Sequence, residues 1–179
     1  MTETEILIVD DDMAVRDSLR ALLESSHFLV REFDCAKRLL ASPHLRDGGC
    51  VVADIRMPDM DGLELQEELI KRQISLPVII VTGHGDVTLA VRAMKAGAVD
   101  FIEKPYDERL MIDSVGRALN FSKANRGQAE LAQNAESRIG LLTMREHQVL
   151  AHLVAGRANK VIAYDWIFRP ARWKSIAPI

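Results

Sequence analysis

The sequence predicts an α/β protein: a parallel, doubly wound sheet of five strands, followed by a smaller helical segment. Mostly apolar runs, Ile6-Leu7-Ile8-Val9, Cys50-Val51-Val52-Ala53, Val78-Ile79-Ile80-Val81 and Val99-Asp100-Phe101-Ile102, recur with helical stretches between them. Strands that alternate with helices in this way form a parallel sheet covered on both faces. Each run also ends on polar residues: Asp10-Asp11-Asp12, Asp54, Thr82-Gly83 and Lys104-Pro105. The C-terminal ends of the strands are where such a sheet presents its site. Finally, 179 residues with 48% hydrophobic and 27% charged side chains describe a soluble globule with room for one ample domain or for one domain plus a small module.

Taken in order, Asp12 is placed to cap a first helix over residues 13 to about 25, in which Val15, Leu19, Leu22 and Leu23 share one face. Residues 28–33 alternate in character, which marks a second strand less buried than the others. A short helix from about 36 to 41 ends at Ser42-Pro43. The turn Asp47-Gly48-Gly49 opens the third strand, whose run up to Asp54 reads as buried on both faces. After it, Ile55-Arg56-Met57-Pro58-Asp59-Met60-Asp61-Gly62 forms a loop able to fold over the carboxylate.

Leu63, Leu65, Leu69 and Ile70 then define a helix ending near Arg72, and residues 76–82 the fourth strand. Residues 86–96 form the next helix with Gly97 as its stop, and 99–102 the fifth strand. A fifth helix from Tyr106 to about Leu119 carries Leu110, Met111, Val115 and Leu119 at core spacing. It continues toward Arg138 as a polar stretch that suits a linker or an exposed helix. Thr143 and Glu146 make a capping box for a helix whose apolar stripe is Val149, Leu150 and Leu153, up to Gly156. A second short helix, residues 159 to about 164, carries Ile162 and Ala163 inward.

The chemistry gathers at the strand ends. Asp10, Asp11 and Asp54 bunched together repel one another unless a cation joins them. Carboxylate oxygens, waters and a backbone carbonyl are the ligands Mg²⁺ takes. Plain helix capping fits the acid triplet equally well. Thr82 beside Gly83 offers a hydroxyl where a neighbour without Cβ permits close approach, or simply ends a strand. A cis bond at Lys104-Pro105 would aim the lysine inward, whereas a solvated lysine is the plain alternative.

Other function classes find little support. A formal charge of -3 and a pI near 6.0 give no global attraction for nucleic acid or anionic membranes, so any DNA contact needs a local patch. Cys35 and Cys50 stand in no metal or redox spacing, and the five histidines form no ligand set. Met1-Thr2-Glu3-Thr4-Glu5 lacks the features of a signal peptide and no apolar run approaches a membrane span. A cytoplasmic protein with reduced thiols and no membrane partner is expected.

The order and spacing of Asp10-Asp11, Asp54, Thr82 and Lys104 resemble the receiver domain of bacterial two-component response regulators over roughly the first two-thirds of the chain. The wording around Thr82-Gly83-His84-Gly85-Asp86 and from Ala93 to Pro105 is similar to the FixJ type. The resemblance implies a flavodoxin-like fold in which Asp54 is the phosphoacceptor, taking a phosphoryl group from a sensor histidine kinase and becoming an aspartyl phosphate. It further implies Mg²⁺ held directly by Asp11, Asp54 and the carbonyl of Arg56, and through water by Asp10. Lys104 would neutralise charge on the phosphoryl oxygens, and Thr82 and Phe101 would act as a switch, although Phe101 fits a plain core role as well. Phosphorylation would then create a homodimer through the helix bearing Val91 and Lys95.

Apart from its own phosphorylation and slow dephosphorylation, no enzyme activity is implied. The alternative is a phosphatase on a similar fold with Asp54 as nucleophile. That class needs a general acid two residues further on, where this chain has Arg56.

The segment from Leu142 resembles the opening two helices of a LuxR-type helix-turn-helix domain. The expected organisation is a receiver over 1–121, a helical linker over 122–138, a partial LuxR-type domain over 139–165 and an aberrant tail over 166–179. Such domains read DNA with a second helix in the major groove, but after Tyr164-Asp165 the resemblance stops and Pro170 interrupts the run. Restoring one base before Trp166 lets the shifted frame read Leu-Asp-Ile-Ser-Pro-Arg-Thr-Val-Glu-Val-His-Arg-Ala, a string similar to the missing recognition helix. A frameshift, natural or introduced in cloning, is therefore expected, with no specific binding of promoter DNA by this chain. The other reading makes Arg169, Arg172 and Lys174 beside Trp166, Phe168 and Trp173 a basic stacking tail for nucleic acid.

Overall fold

The computed structural model describes residues 5–83, 86–157 and 161. The chain divides into two compact units, Met1–Gln128 and Ala129–Ile179. The first is built on five parallel strands, β1 (Glu5–Val9), β2 (Leu29–Phe33), β3 (Cys50–Asp54), β4 (Val78–Thr82) and β5 (Asp100–Glu103). Their order in the sheet is β2-β1-β3-β4-β5. This is the predicted doubly wound, flavodoxin-like arrangement. The order reverses between β1 and β3, which opens a crevice at their C-terminal ends.

Five helices cover the sheet: α1 (Met13–Ser25), α2 (Ala36–Leu40), α3 (Gly62–Lys71), α4 (Val87–Lys95) and the first part of α5 (Glu108–Gly140). A single 3-10 turn, Pro43–Arg46, follows α2 and has no counterpart in the sequence reading. The two-residue period of the strands divides their side chains between two cores. Leu7, Val9, Val51, Ala53, Val78 and Ile80 pack with Ala36, Leu39, Leu63, Leu65, Leu69 and Ala93 from α2, α3 and α4. Ile6, Ile8, Cys50, Val52, Ile79 and Val81 pack with Leu19 and Leu23 of α1 and Met111, Val115 and Ala118 of α5. Both sides of β3 are therefore dry, which is why its sequence is an unbroken apolar run. By contrast β2, at the edge, has no fully buried residue.

Two expected core positions turn outward: Ile70 is 58% exposed and Leu110 45%. Each lies next to the residue that occupies the core, Leu69 and Met111, and a helix turning 100° per residue cannot bury both. The caps are as predicted. The Asp12 carboxylate accepts from the amides of Ala14 and Val15, and Gly97 ends α4 with φ +91°, a conformation open to glycine.

Cys50 carries a testable consequence of this double burial. Desolvation pushes its thiol from 9.0 up to about 12, because the thiolate has no water to solvate it. Unfolded chains lose this proton from about pH 9 while the native state keeps it, so stability falls as pH rises through that window, by up to ~1.4 kcal/mol per unit. Tyr106 and Lys104, also raised, act with the same sign. Denaturation of wild type and Cys50→Ala between about pH 8 and 11 separates the contributions. The wild type should lose stability more steeply, and equal slopes would remove the thiol from the account.

In the second unit, α6 (Met144–Val154) carries the capping box expected at its start. The Thr143 amide donates to Glu146 Oε2 at 2.7 Å and the Glu146 amide to Thr143 Oγ1 at 3.4 Å. Val149 and Leu150 are half-buried and Leu153 is 48% exposed, and none of the described side chains of this unit is fully buried. The second short helix with Ile162 and Ala163, and the tail 166–179, lie outside the described residues. Among those residues no helix is long and apolar enough to cross a membrane.

Candidate phosphorylation site

The register of the sheet dictates which strand-end residues meet. Val9 lies opposite Ala53, Asp54 opposite Val81, and Thr82 opposite Glu103. Asp10, Asp54, Thr82 and Lys104 therefore converge at one end of four adjacent strands, although they are far apart in sequence. Asp10 and Asp54 are 5% and 8% exposed. The Lys104–Pro105 peptide bond is cis, as the sequence reading expects. Lys104 Nζ lies 2.7 Å from Asp10 Oδ2 and 2.7 Å from Asp54 Oδ1, one cation shared by two sheltered carboxylates.

Burial by itself lowers the affinity of Lys104 for its proton. Hydrogen bonds and charge from Asp10 and Asp54 outweigh that effect and hold its pKa above the usual lysine value. The remaining oxygens are occupied by backbone: the Asp12 amide donates to Asp10 Oδ1 at 2.9 Å and the Arg56 amide to Asp54 Oδ2 at 2.6 Å. Lys104 is held in turn by its own amide, which donates to the carbonyl of Thr82 at 2.7 Å.

The acid triplet has thus divided its work. Asp12 caps α1, Asp10 faces the lysine, and Asp11 is exposed beside them. Among the described residues no three or more His, Cys, Asp or Glu side chains form a ready-made metal cage. Mg²⁺ does not need one, since it keeps several waters and takes one or two carboxylates. Asp10 and Asp54, meeting at one cation and lying beside the backbone of Arg56, fit that demand.

The pattern of the response regulator receiver domain matches residues 6–116. The chain belongs to that family. It is 42% identical over 169 residues to the transcriptional regulatory protein FixJ of Bradyrhizobium diazoefficiens, covering 94% of this chain and 82% of that protein. To FixJ of Azorhizobium caulinodans it is 48% identical over 158 residues, covering 88% and 75%. Among solved structures, response regulator StyR is similar with a TM-score of 0.78 at 42% identity, over 92% of this chain and 83% of that one. The FixJ-N structure gives 0.62 at 45% identity, over 67% and 96%.

Around the receiver site, Thr82 is fully buried and Phe101 is half-buried against the core on the α3 and α4 side. Val91 and Lys95 are exposed on α4. Two contributors, Arg16 and Tyr106, escaped the sequence reading as site residues, and Gly62 entered it only as part of the loop over Asp54. Arg16 Nη1 donates to the carbonyl of Asp10 at 2.7 Å, tying α1 to the acid turn. A Cβ at Gly62 would come within 2.4 Å of the Asp54 carbonyl oxygen, so the loop can close over Asp54 only with glycine there. Tyr106 lines the small pocket beside Asp10, Asp54 and Lys104. Of these, only Gly62 left a signal, because a glycine at a helix start after Asp61 is unusual enough to ask what it approaches.

Proposed function

We propose that this chain is the phosphoacceptor of a two-component phosphorelay, with Asp54 receiving the phosphoryl group from a sensor histidine kinase. The observation that carries it is the shared contact of Lys104 with Asp10 and Asp54 at the switch point of the sheet. In this reading an oxygen of Asp54 attacks phosphorus, the P–N bond to the kinase histidine breaks, and its electron pair leaves with the imidazole. Asp10, Asp11, Asp54 and the carbonyl of Arg56 would hold Mg²⁺, which offsets charge on the phosphoryl oxygens when bound. Lys104 turns from Asp54 to a phosphoryl oxygen, and the hydroxyl of Thr82 serves another. Without a second acid at Arg56, hydrolysis stays limited to slow loss of the chain's own phosphate, which distinguishes it from a phosphatase.

Incubation with acetyl phosphate and Mg²⁺ tests the reading: one acid-stable, hydroxylamine-labile phosphate per chain is expected. A chain that stays unlabelled, or that turns over a generic phosphoester many times, would overturn it.

Phosphorylation is further proposed to reach α4 through Thr82 and Phe101 and to create a two-fold interface. Ala93 is the only described residue of α4 that is fully buried, while Val87, Val91 and Met94 are 81%, 45% and 49% exposed. That face, with Lys95 at its border, is what a second copy would cover. Light scattering should show the dimer on phosphorylation, with Val91→Asp keeping the labelled chain monomeric. A labelled wild type that stays monomeric at high concentration removes this part. A cytoplasmic location follows from the kinase partner. We propose further that this chain does not bind a specific promoter, because in its sequence Pro170 interrupts the run after Asp165 where a second, base-reading helix would be needed.

A further inference from the structure

Two cavities meet at Lys104. One is a small pocket bounded by Asp10, Asp54 and Lys104 over an apolar floor that includes Val52 and Val81. The other is an open groove between α1 and the start of α5, of about 720 Å³, bordered by Ala14, Ser18, Leu22, Pro105 and Glu108. Three residues line both: Val15, Lys104 and Tyr106. The side chains of Val15 and Tyr106 thus stand, with the lysine itself, where the open groove and the small pocket adjoin. Tyr106 is half-buried, its ring packs against the core on the α1 and α5 side, and burial raises the pKa of its phenol, as expected of a ring standing at such a boundary.

We infer that Tyr106, with Val15, is a positioning residue for phosphoryl transfer: its ring limits the water that reaches the Lys104 ammonium from the groove, so that the lysine acts on Asp54 and on the incoming phosphoryl group in a less solvated setting. This rests on the phosphoacceptor reading of Asp54. The physical reason is the dielectric. At a contact distance of about 4 Å the attraction between unit charges falls roughly fourfold when a protein-like surrounding is replaced by water. A water-filled opening behind Lys104 would weaken its hold on the phosphoryl oxygens without moving the nucleophile or the acids. The wall needs the ring and not the hydroxyl, and a valine one helix away completes it.

The test compares the rate of labelling by acetyl phosphate and Mg²⁺ in wild type, Tyr106→Ala, Tyr106→Phe and Val15→Ala, with folding checked by circular dichroism. Tyr106→Ala should label about tenfold more slowly, which corresponds to ~1.4 kcal/mol of transition-state stabilisation. Added phenol, filling the vacated space, should recover much of the rate, and Tyr106→Phe should label like wild type. The slowed variant should also become more sensitive to salt, a response that simple loosening of the fold does not produce. If Tyr106→Ala does not fold, Val15→Ala decides, and it too must label more slowly. Wild-type rates in Tyr106→Ala or in that valine variant, or equal slowing in Tyr106→Phe, would overturn the wall. A wild type that takes no label strikes the phosphoacceptor reading itself, whereas a labelled wild type with an unchanged alanine variant strikes only this inference.

Discussion

Asp54→Asn is expected to bring labelling by acetyl phosphate and Mg²⁺ to background while leaving the fold in place. The amide keeps the shape of the side chain, and its oxygen still accepts from the Arg56 amide, now 2.6 Å from Asp54 Oδ2. Lys104 also keeps Asp10, 2.7 Å away. What is lost is the anionic oxygen, and a carboxamide is too weak a nucleophile to attack phosphorus at neutral pH. Intact-mass spectrometry before and after hydroxylamine reads the acyl phosphate directly, and denaturant unfolding confirms that the variant is native. Hydroxylamine-labile phosphate on the Asn variant would move the acceptor to another carboxylate and sink the assignment.

Lys104→Met should produce the other large effect, and in two measurements. Asp10 and Asp54 have side chains only 7% and 9% exposed, and Lys104 is the cation they share. Removing it leaves two sheltered negative charges facing each other, at a cost of about 3 kcal/mol. Saturating Mg²⁺ should return part of that loss, and more than it adds to wild type, because a divalent cation on the same carboxylates stabilises the native state by linkage. The labelling rate should fall ~10²- to 10³-fold, the scale for deleting one preorganised charge at a developing oxyanion. Stability unaffected by Mg²⁺ in this variant would argue against a cation site at the two acids. Labelling near the wild-type rate would argue against the lysine.

The strands, the helices between them and the acids at their ends were legible because each is written locally. Cys50 to Ala53 is apolar without interruption since both sheet faces are covered, and Asp12 caps α1 through hydrogen bonds that span at most three residues; the caps that Asp61 and Asp86 give α3 and α4 are as local but were not singled out. The site residues were legible for a related reason: in a parallel sheet every strand points the same way, so residues just after successive strands share one edge. Legibility failed where neighbours in sequence compete for one place. Ile70 and Leu110 read as core but stand beside Leu69 and Met111, which hold it. The beginning of the expected linker is similar. Ser122 is buried, and Arg126 donates to the carbonyls of Asp47 and Gly48, so the first compact unit runs on to Gln128. A polar stretch does not announce a partner that lies on a turn nearly eighty residues earlier.

Composition and spacing thus specify a five-stranded parallel sheet and deliver Asp10, Asp54, Thr82 and Lys104 to its C-terminal edge, because alternation, caps and strand direction are short-range properties. Which acid of the triplet meets the lysine, that a glycine must stand at position 62, and that Tyr106 and Val15 line the pocket beside Lys104 are settled only by packing. Each depends on how far a helix has turned when it meets another element, and an error of one residue, about 100° around the helix axis, sends a side chain from the site into water.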